Sequence, residues 1–239
     1  MSALDPIARD APLLGGRSVA SQRWSDLAFL HWRVDADRVA PLLPPGVRPD
    51  VFDGTSWVGL IPFRLDRATL FGGPPMPYVG DFVEVNVRLY GVDDDGRRGV
   101  VFLTLEASRL AAVLAARAAF GLPYRWARTR LVEEGGVVTA TSRRHGGGPA
   151  SLVRVRLRDP IVASPLDDFL TARWGMFTRR RGRTVFLRNE HAAWELRAAE
   201  LLELDDQLMA ACGLPGLAER PPESVLFSRG VVTRFAAPG

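Results

Sequence analysis

The clearest pattern in this chain runs from Phe82 to Trp126. Residues Val83 to Tyr90 alternate apolar and polar without a break, the period-two mark of a strand with unlike faces. Asp93-Asp94-Asp95-Gly96 is turn chemistry, and Val100 to Glu106 resumes the strand pattern. A three-residue loop, Asp94-Asp95-Gly96 with Gly96 left-handed, predicts an antiparallel hairpin that pairs position 93 with 97. Counting back from that loop, Arg88 faces Phe102, Asn86 faces Thr104 and Glu84 faces Glu106. Val85, Val87 and Leu89 then share a face with Leu105, Leu103 and Val101, so the apolar pattern supports the same register. The two carboxylates would stand opposed, with side chains roughly 5 Å apart. On a solvated face such a pair means little. In an enclosed interior it marks a site, because like charges destabilise a sheet unless one is protonated or a cation intervenes. The pattern leaves both readings open.

A helix is predicted next, with Ser108 as N-cap, Gly121 as C-terminal stop and Pro123 preventing continuation. Leu110, Val113, Leu114 and Arg117 fall on one helical face. Arg117 then either packs its stem and keeps its head in water, or aims a cation at an acidic ligand or the glutamates.

Elsewhere the pattern is mostly strands. Residues 1–23 lack periodicity and read as a flexible N-terminal arm, with 24–239 as a single domain. Leu27 to Trp32 is a first strand, and Asp35 to Leu43 a short helix closed by Pro44-Pro45-Gly46. Val47 to Phe52 and Thr55 to Arg64 suggest a hairpin across Asp53-Gly54. Strands follow at Ala127–Val132, Val137–Arg143 and Leu152–Leu157, then a capped helix start at Ser164-Pro165. Phe177 to Leu187 reads as a hairpin with a solvated arginine tip at Arg179 to Arg183. A short helix at Asp205–Cys212 and final strands over Val225–Phe235 complete a mainly β (α+β) chain with a few short helices.

Composition narrows the chemistry. All 31 basic residues are arginine, so no lysine Schiff base can form on a side chain. The net charge of +4 is too modest and scattered to argue for nucleic acid. One cysteine excludes an intrachain disulfide framework, and no apolar run approaches membrane-spanning length, so a cytoplasmic protein without a membrane partner is expected. There is no phosphate loop, dinucleotide fingerprint or paired-cysteine metal site, and His31, His145 and His191 are far apart. No cofactor or metal is therefore expected; homo-oligomerisation stays open.

Several segments together resemble the YqjF-like family of bacterial proteins, over about Trp24 to Phe235. They include Leu30-His31-Trp32, Leu42-Leu43-Pro44-Pro45-Gly46, Trp57-Val58-Gly59 with Pro62-Phe63, and Glu84-Val85-Asn86-Val87-Arg88. Phe120-Gly121-Leu122-Pro123-Tyr124, Leu170-Thr171-Ala172-Arg173-Trp174-Gly175 and the His191–Trp194 segment follow in order. That family is similar in fold to acetoacetate decarboxylase, which implies a conical, largely antiparallel β-barrel around a ligand cavity. In the decarboxylase a Gly-aromatic-Pro-Lys-Lys corner carries the Schiff-base lysine. Gly121-Leu122-Pro123-Tyr124-Arg125 stands here instead, so both lysine places hold other residues. The resemblance makes Glu84, and with it Glu106, look like cavity-lining glutamates of that fold.

The residues expected to carry chemistry are Glu84 and Glu106 as an acid and base, with Arg88. Asn86, Arg117, Tyr124, Arg125 and His31 are expected to contact a small-molecule ligand. One function is lysine-free acid/base chemistry on a small oxo-acid or carbonyl compound by enolisation, dehydration or decarboxylation. The other is non-catalytic binding of an acidic metabolite in the same cavity. A nucleic-acid or protein interaction module using surface arginines ranks behind both.

Overall fold

The computed structural model describes residues 3–237. Its strands are β1 (Ser18–Val34), β2 (Val47–Pro49), β3 (Ser56–Leu70), β4 (Phe82–Asp93), β5 (Arg98–Ala107) and β6 (Tyr124–Glu134). They continue with β7 (Val137–Arg144), β8 (Ala150–Pro160), β9 (Gly175–Arg180), β10 (Arg183–Glu190), β11 (Leu196–Asp206) and β12 (Ser224–Ala236). The helices are short: α1 (Ala36–Val39), α2 (Leu110–Phe120), α3 (Pro165–Thr171) and α4 (Leu208–Ala211). None among the described residues is long and apolar enough to cross a membrane. The mainly β class read from the alternation is the observed one.

The strand pairings close on themselves twice. Walking β5-β6-β7-β8-β11-β12-β1-β3-β4 returns to β5, a ring of nine strands. Walking β5-β9-β10-β12-β1-β3-β4 also returns to β5, a ring of seven. The pairs are antiparallel except β5–β6 and β5–β9, which run parallel. The two rings share β12, β1, β3, β4 and β5, so this common wall has an interior on each side.

That shared wall explains an oddity of β4. Its sequence alternates as if one face met water, yet every residue but Arg88 is buried. Val83, Val85, Val87 and Leu89 face the nine-strand interior, where they join Leu131, Val138, Val153, Val155 and Phe227. The alternate residues face the seven-strand interior, with Phe29, Ile61, Phe63, Leu105 and Tyr124 at one end and Trp57, Tyr90, Phe169 and Met176 at the other. Period two therefore distinguishes one interior from another, not core from solvent.

The hairpin follows the predicted register near its loop and departs from it further on. Gly96 is left-handed at φ 86°, and Asp93 and Arg97 close the loop. Pairing runs as expected down to Arg88 with Phe102. There the register shifts: Val87 pairs with Thr104, Asn86 with Leu105, Val85 with Glu106 and Glu84 with Ala107. Leu103 is the extra residue of a β-bulge. It lies where β5 leaves β9, last paired at Val101, before joining β6 at Leu105. A strand that passes between neighbours at a corner commonly bulges, and one inserted residue sends every later side chain to the other face. The expected opposition of Glu84 and Glu106 is overturned; they point into different interiors.

Three further expectations change. Helix α2 starts at Leu110 with Arg109, not Ser108, as N-cap, and no side chain caps it. It buries Val113 alone and leaves Leu110 and Leu114 exposed, so the predicted apolar stripe is not the packed one. The strand at Val47 pairs with β4 instead of completing a hairpin with β3; only a bridge between Phe52 and Thr55 spans Asp53-Gly54. Finally, β1 begins at Ser18, inside the stretch read as a loose arm, and residues ahead of it are hydrogen-bonded to the body.

Candidate functional site

The polar side chains of the seven-strand interior come from neighbouring positions on β1, β3 and β4. His31 pairs with Gly59, and Gly59 with Arg88. A Cβ on Gly59 would meet Ile61 Cδ1 at 2.7 Å and the His31 ring at 3.2 Å, so the missing side chain is what seats the imidazole. Tyr90 joins the row. Its hydroxyl lies 2.7 Å from His31 Nε2, accepts from Arg88 Nε at 3.1 Å, and donates to the Leu170 carbonyl at 2.9 Å. Arg88 Nη2 donates to the same carbonyl at 2.9 Å. With the Tyr90 proton committed to Leu170, His31 Nε2 is the protonated nitrogen and Nδ1 keeps its lone pair. Burial, with the charges of Arg88 and Arg173, holds His31 well below the usual imidazole range, so it is neutral. His31 Nδ1 has no partner.

Glu84 and Asn86 extend this wall. Tyr124 Oη donates to Glu84 Oε2 at 2.7 Å, and Asn86 Nδ2 donates to Oε1 at 3.1 Å. Glu84 is 2% exposed, and burial pushes its carboxyl up to about 7 against the opposing pull of these two hydrogen bonds. Tyr124 is pushed well above its usual range, first by burial and then by the neighbouring carboxylate. Asn86 spends its amide on Glu84, and its Oδ1 is left unpartnered. Two bare acceptors, Asn86 Oδ1 and His31 Nδ1, thus accompany a carboxyl poised to gain or lose a proton near neutrality. An aromatic group covers one end: Trp194 meets Phe29 edge-on at 5.3 Å, stacks over Trp24 and contacts His191. Burial lowers His191 to about 4.

Glu106 belongs to a different constellation in the nine-strand interior. Arg144 donates from Nε to both carboxylate oxygens, at 3.0 and 3.1 Å, and from Nη2 to Oε1 at 2.7 Å. Thr104 Oγ1 adds a bond of 2.7 Å. The pairing raises Arg144, chiefly through the hydrogen bond to Glu106. Nearby Cys212 is pushed up to about 11 by burial, an inert thiol as expected for a packed cysteine. Ser142 and Ser151, cross-strand partners on β7 and β8, and Asp206 beside Ser151 each keep one unpartnered atom in this interior. The second oxygen of Asp206 caps α4 through Met209 N.

Of the residues singled out from sequence, His31, Glu84, Asn86, Arg88 and Tyr124 come together in the seven-strand interior. Glu106 lies in the other interior, and Arg117 and Arg125 are exposed outside the seven-strand ring. Tyr90 and Gly59 are residues of this wall that the sequence alone does not single out. Tyr90 could have been found by carrying the 84-86-88 alternation one step further. Gly59 becomes meaningful only once its neighbours across the sheet are known, whereas Trp194 is the core or pocket-wall tryptophan that its residue type suggests. The two cavities described on the molecule, about 280 Å³ near Asp81 and Arg109 and about 330 Å³ beneath the N-terminal arm, are lined by neither Glu84 nor His31.

Comparison with known proteins agrees with this architecture. An acetoacetate decarboxylase-like enzyme from Sphingomonas wittichii RW1 superposes with a TM-score of 0.65 at 16% identity, covering 93% of this chain and 92% of that one. The acetoacetate decarboxylase of Legionella pneumophila gives 0.64 at 14% identity, over 93% and 88%. The enduracididine biosynthesis enzyme MppR, complexed with the condensation product of pyruvate and imidazole 4-carboxaldehyde, gives 0.64 at 13% identity, over 93% and 89%. At these identities the likeness is one of fold. In sequence, the uncharacterized protein YqjF of Bacillus subtilis (strain 168) is 31% identical over 186 residues, 76% of each chain. Residues 21–232 match the profile of a family described as an uncharacterized conserved protein, and with nearly the whole double ring inside that match, this chain belongs to the DUF2071 family.

Proposed function

We propose that the seven-strand interior binds a small oxo-acid or related carbonyl metabolite, and that Glu84 moves a proton to and from the carbon beside its carbonyl. The observation that carries this is the unpartnered acceptor Asn86 Oδ1 beside the buried Glu84 carboxyl, with a second bare acceptor, His31 Nδ1, further along the same wall. Buried polar atoms are seldom left without partners unless a ligand supplies them. Both acceptors need a donor, which an enol or hydroxyl group provides and a plain carboxylate does not.

In enolisation, ionised Glu84 removes a proton from the carbon next to the carbonyl, and the electron pair moves to the carbonyl oxygen. Glu84 is then a neutral acid that can return the proton to carbon. Arg88 balances the negative charge on oxygen, and transfer of the proton held by Glu84 to that oxygen instead of carbon gives the enol, whose O–H can donate to Asn86 Oδ1. A carboxyl near neutrality suits both halves of the cycle, because neither state is strongly favoured at working pH. MppR, with the same fold, holds a pyruvate-derived ligand, which supports an oxo-acid as the ligand class. The lack of any lysine excludes a protein-bound imine on a side chain. Binding without turnover is the second reading, favoured by Arg88 already being tied to Tyr90 and Leu170.

The test is deuterium exchange at the α-carbon of pyruvate and larger 2-oxo acids, followed by proton NMR. The parent should accelerate exchange and Glu84→Gln should lose about 10²-fold or more of that rate. Ligand binding without exchange would select the second reading; exchange untouched by Glu84→Gln would remove Glu84 from the mechanism.

A further inference from the structure

The first residues of the described chain form a strap. Asp5 N donates to the Gly96 carbonyl at 2.9 Å, and Arg98 Nε donates to the Asp5 carbonyl at 2.8 Å. Trp174 Nε1 donates to the Ala8 carbonyl at 2.9 Å, while Arg9 pairs with Asp168 at 3.1 Å. The turn is shaped to receive it: a Cβ on Gly96 would lie 2.2 Å from the Ala3 carbonyl oxygen. Between strap and body is the cavity of about 330 Å³.

Its lining is rich in arginine. Arg97, Arg98, Arg173 and Arg188 contribute, against the carboxylates of Asp5 and Asp10, with Phe186 and Trp174 among the apolar walls. Arg97 is matched by Asp93 and Asp95. Arg98 and Arg173 share the single buried carboxylate of Asp50, and Asp5 and Asp10 of the strap also line the cavity. Arg173 is 6% exposed; its Nε donates to the Phe169 carbonyl, its Nη1 to Asp50, and its Nη2 has no partner. Its guanidinium is held rigidly over the rings of Phe169 and Tyr90, at 4.2 and 4.8 Å. Arg188 pairs in register with Gly175, two residues from Arg173 in sequence, and has no ion-pair partner among the described residues.

A fixed, buried guanidinium with a spare donor is a costly arrangement in isolation. It becomes favourable when an anion accepts from Nη2, since guanidinium presents donors in the planar fork that phosphate and carboxylate oxygens fit. We propose that the cavity under the strap is a second binding site, one that takes the phosphate or dicarboxylate group of a small metabolite between Arg173 and Arg188. This site adjoins the Tyr90–Phe169 end of the seven-strand interior, but it uses neither Glu84 nor Asn86 and does not rest on the function proposed for them.

Titration calorimetry on the full chain at constant ionic strength tests it, with inorganic phosphate in one arm and succinate in the other. Saturable heat is expected in at least one arm; a response to only one anion supports the site and names its ligand group. Arg188→Gln, at an exposed position whose loss spares the fold, should weaken binding roughly tenfold or more. Arg154→Gln, which removes a distant surface charge paired with Glu203, should leave it unchanged. No saturable heat in either arm overturns the proposal. So does an Arg188→Gln chain that binds like the parent, or an Arg154→Gln chain that weakens as much, since the effect would then be general charge.

Discussion

Glu84 and Glu106 lie on adjacent strands of one hairpin, both almost wholly buried, yet their surroundings assign them opposite behaviour. Glu84 meets only neutral donors, the Tyr124 hydroxyl and the Asn86 amide, so burial dominates and its proton is held to about 7. Glu106 meets a guanidinium and a hydroxyl, and its pairing with Arg144 is a fixed ionic contact. Burial alone therefore does not make a carboxyl functional. Burial without a cation makes one that can exchange a proton, and burial with a cation makes one that holds the wall together. One bulged residue, Leu103, separates the two outcomes.

The largest effect follows from breaking the paired member. Glu106→Gln leaves Arg144, whose side chain is 23% exposed, without its counter-charge. Removing one partner of a buried pair costs more than the pair itself is worth, and the partial solvent access of Arg144 moderates the figure to about 2–4 kcal/mol. Chemical denaturation should show this loss. A Glu106→Gln chain as stable as the parent would mean that the two carboxyls do not differ as described.

Glu84→Gln should act with the opposite sign. The carboxyl titrates near its ordinary 4.5 in the unfolded chain and about 7 when folded. Between those values the folded state binds the extra proton, so parent stability falls as pH rises from about 4.5 to about 7, by up to roughly 3 kcal/mol. His31 and His191, both lowered on folding, act the other way: they cost stability as pH drops below about 6.5. The parent should therefore be most stable at mildly acidic pH, whereas Glu84→Gln should keep gaining stability as pH rises towards 7 and melt above the parent at pH 8. A difference between the two that does not change with pH would show that Glu84 is not buried as a neutral acid.

The sequence carried the fold class, the hairpin loop and several polar residues of the seven-strand interior, because alternation and turn chemistry are local. His31, Glu84, Asn86, Arg88 and Tyr124 were legible as polar residues on strands or corners. What was not legible depends on neighbours distant in sequence. The bulge at Leu103 arises because β5 exchanges β9 for β6, and nothing within Val100 to Glu106 announces that exchange. The second interior hid for the same reason: alternation in β4 looks identical whether its polar face meets water or another ring. Arg144 as the partner of Glu106, 38 positions away, needed the β5–β6–β7 corner to be known first. In α2 the packed side is lined by alanines around Val113, so the leucine spacing points to a face that is solvent-exposed.

The smallest effect is expected outside both rings, at the arginine tip between β9 and β10. Arg179, Arg181 and Arg183 are exposed, and the chain reverses through left-handed Arg181 and Gly182 at φ 49° and 81°. A tight contact there is made by backbone: a Cβ on Gly121 would lie 2.3 Å from the Arg179 carbonyl oxygen, so the helix C-terminus docks on main chain, not on the arginine side chains. Replacing Arg179, Arg181 and Arg183 together by glutamine removes charge while keeping that backbone and the turn. Stability should move by less than about 0.5 kcal/mol, and α-proton exchange by the Glu84 site should not change. The same residue type counts heavily when paired with buried Glu106 and little when its partner is water. A melting temperature lowered by several degrees would show that the tip's side chains are packed or paired in solution, and that charge outside the rings also holds the fold together.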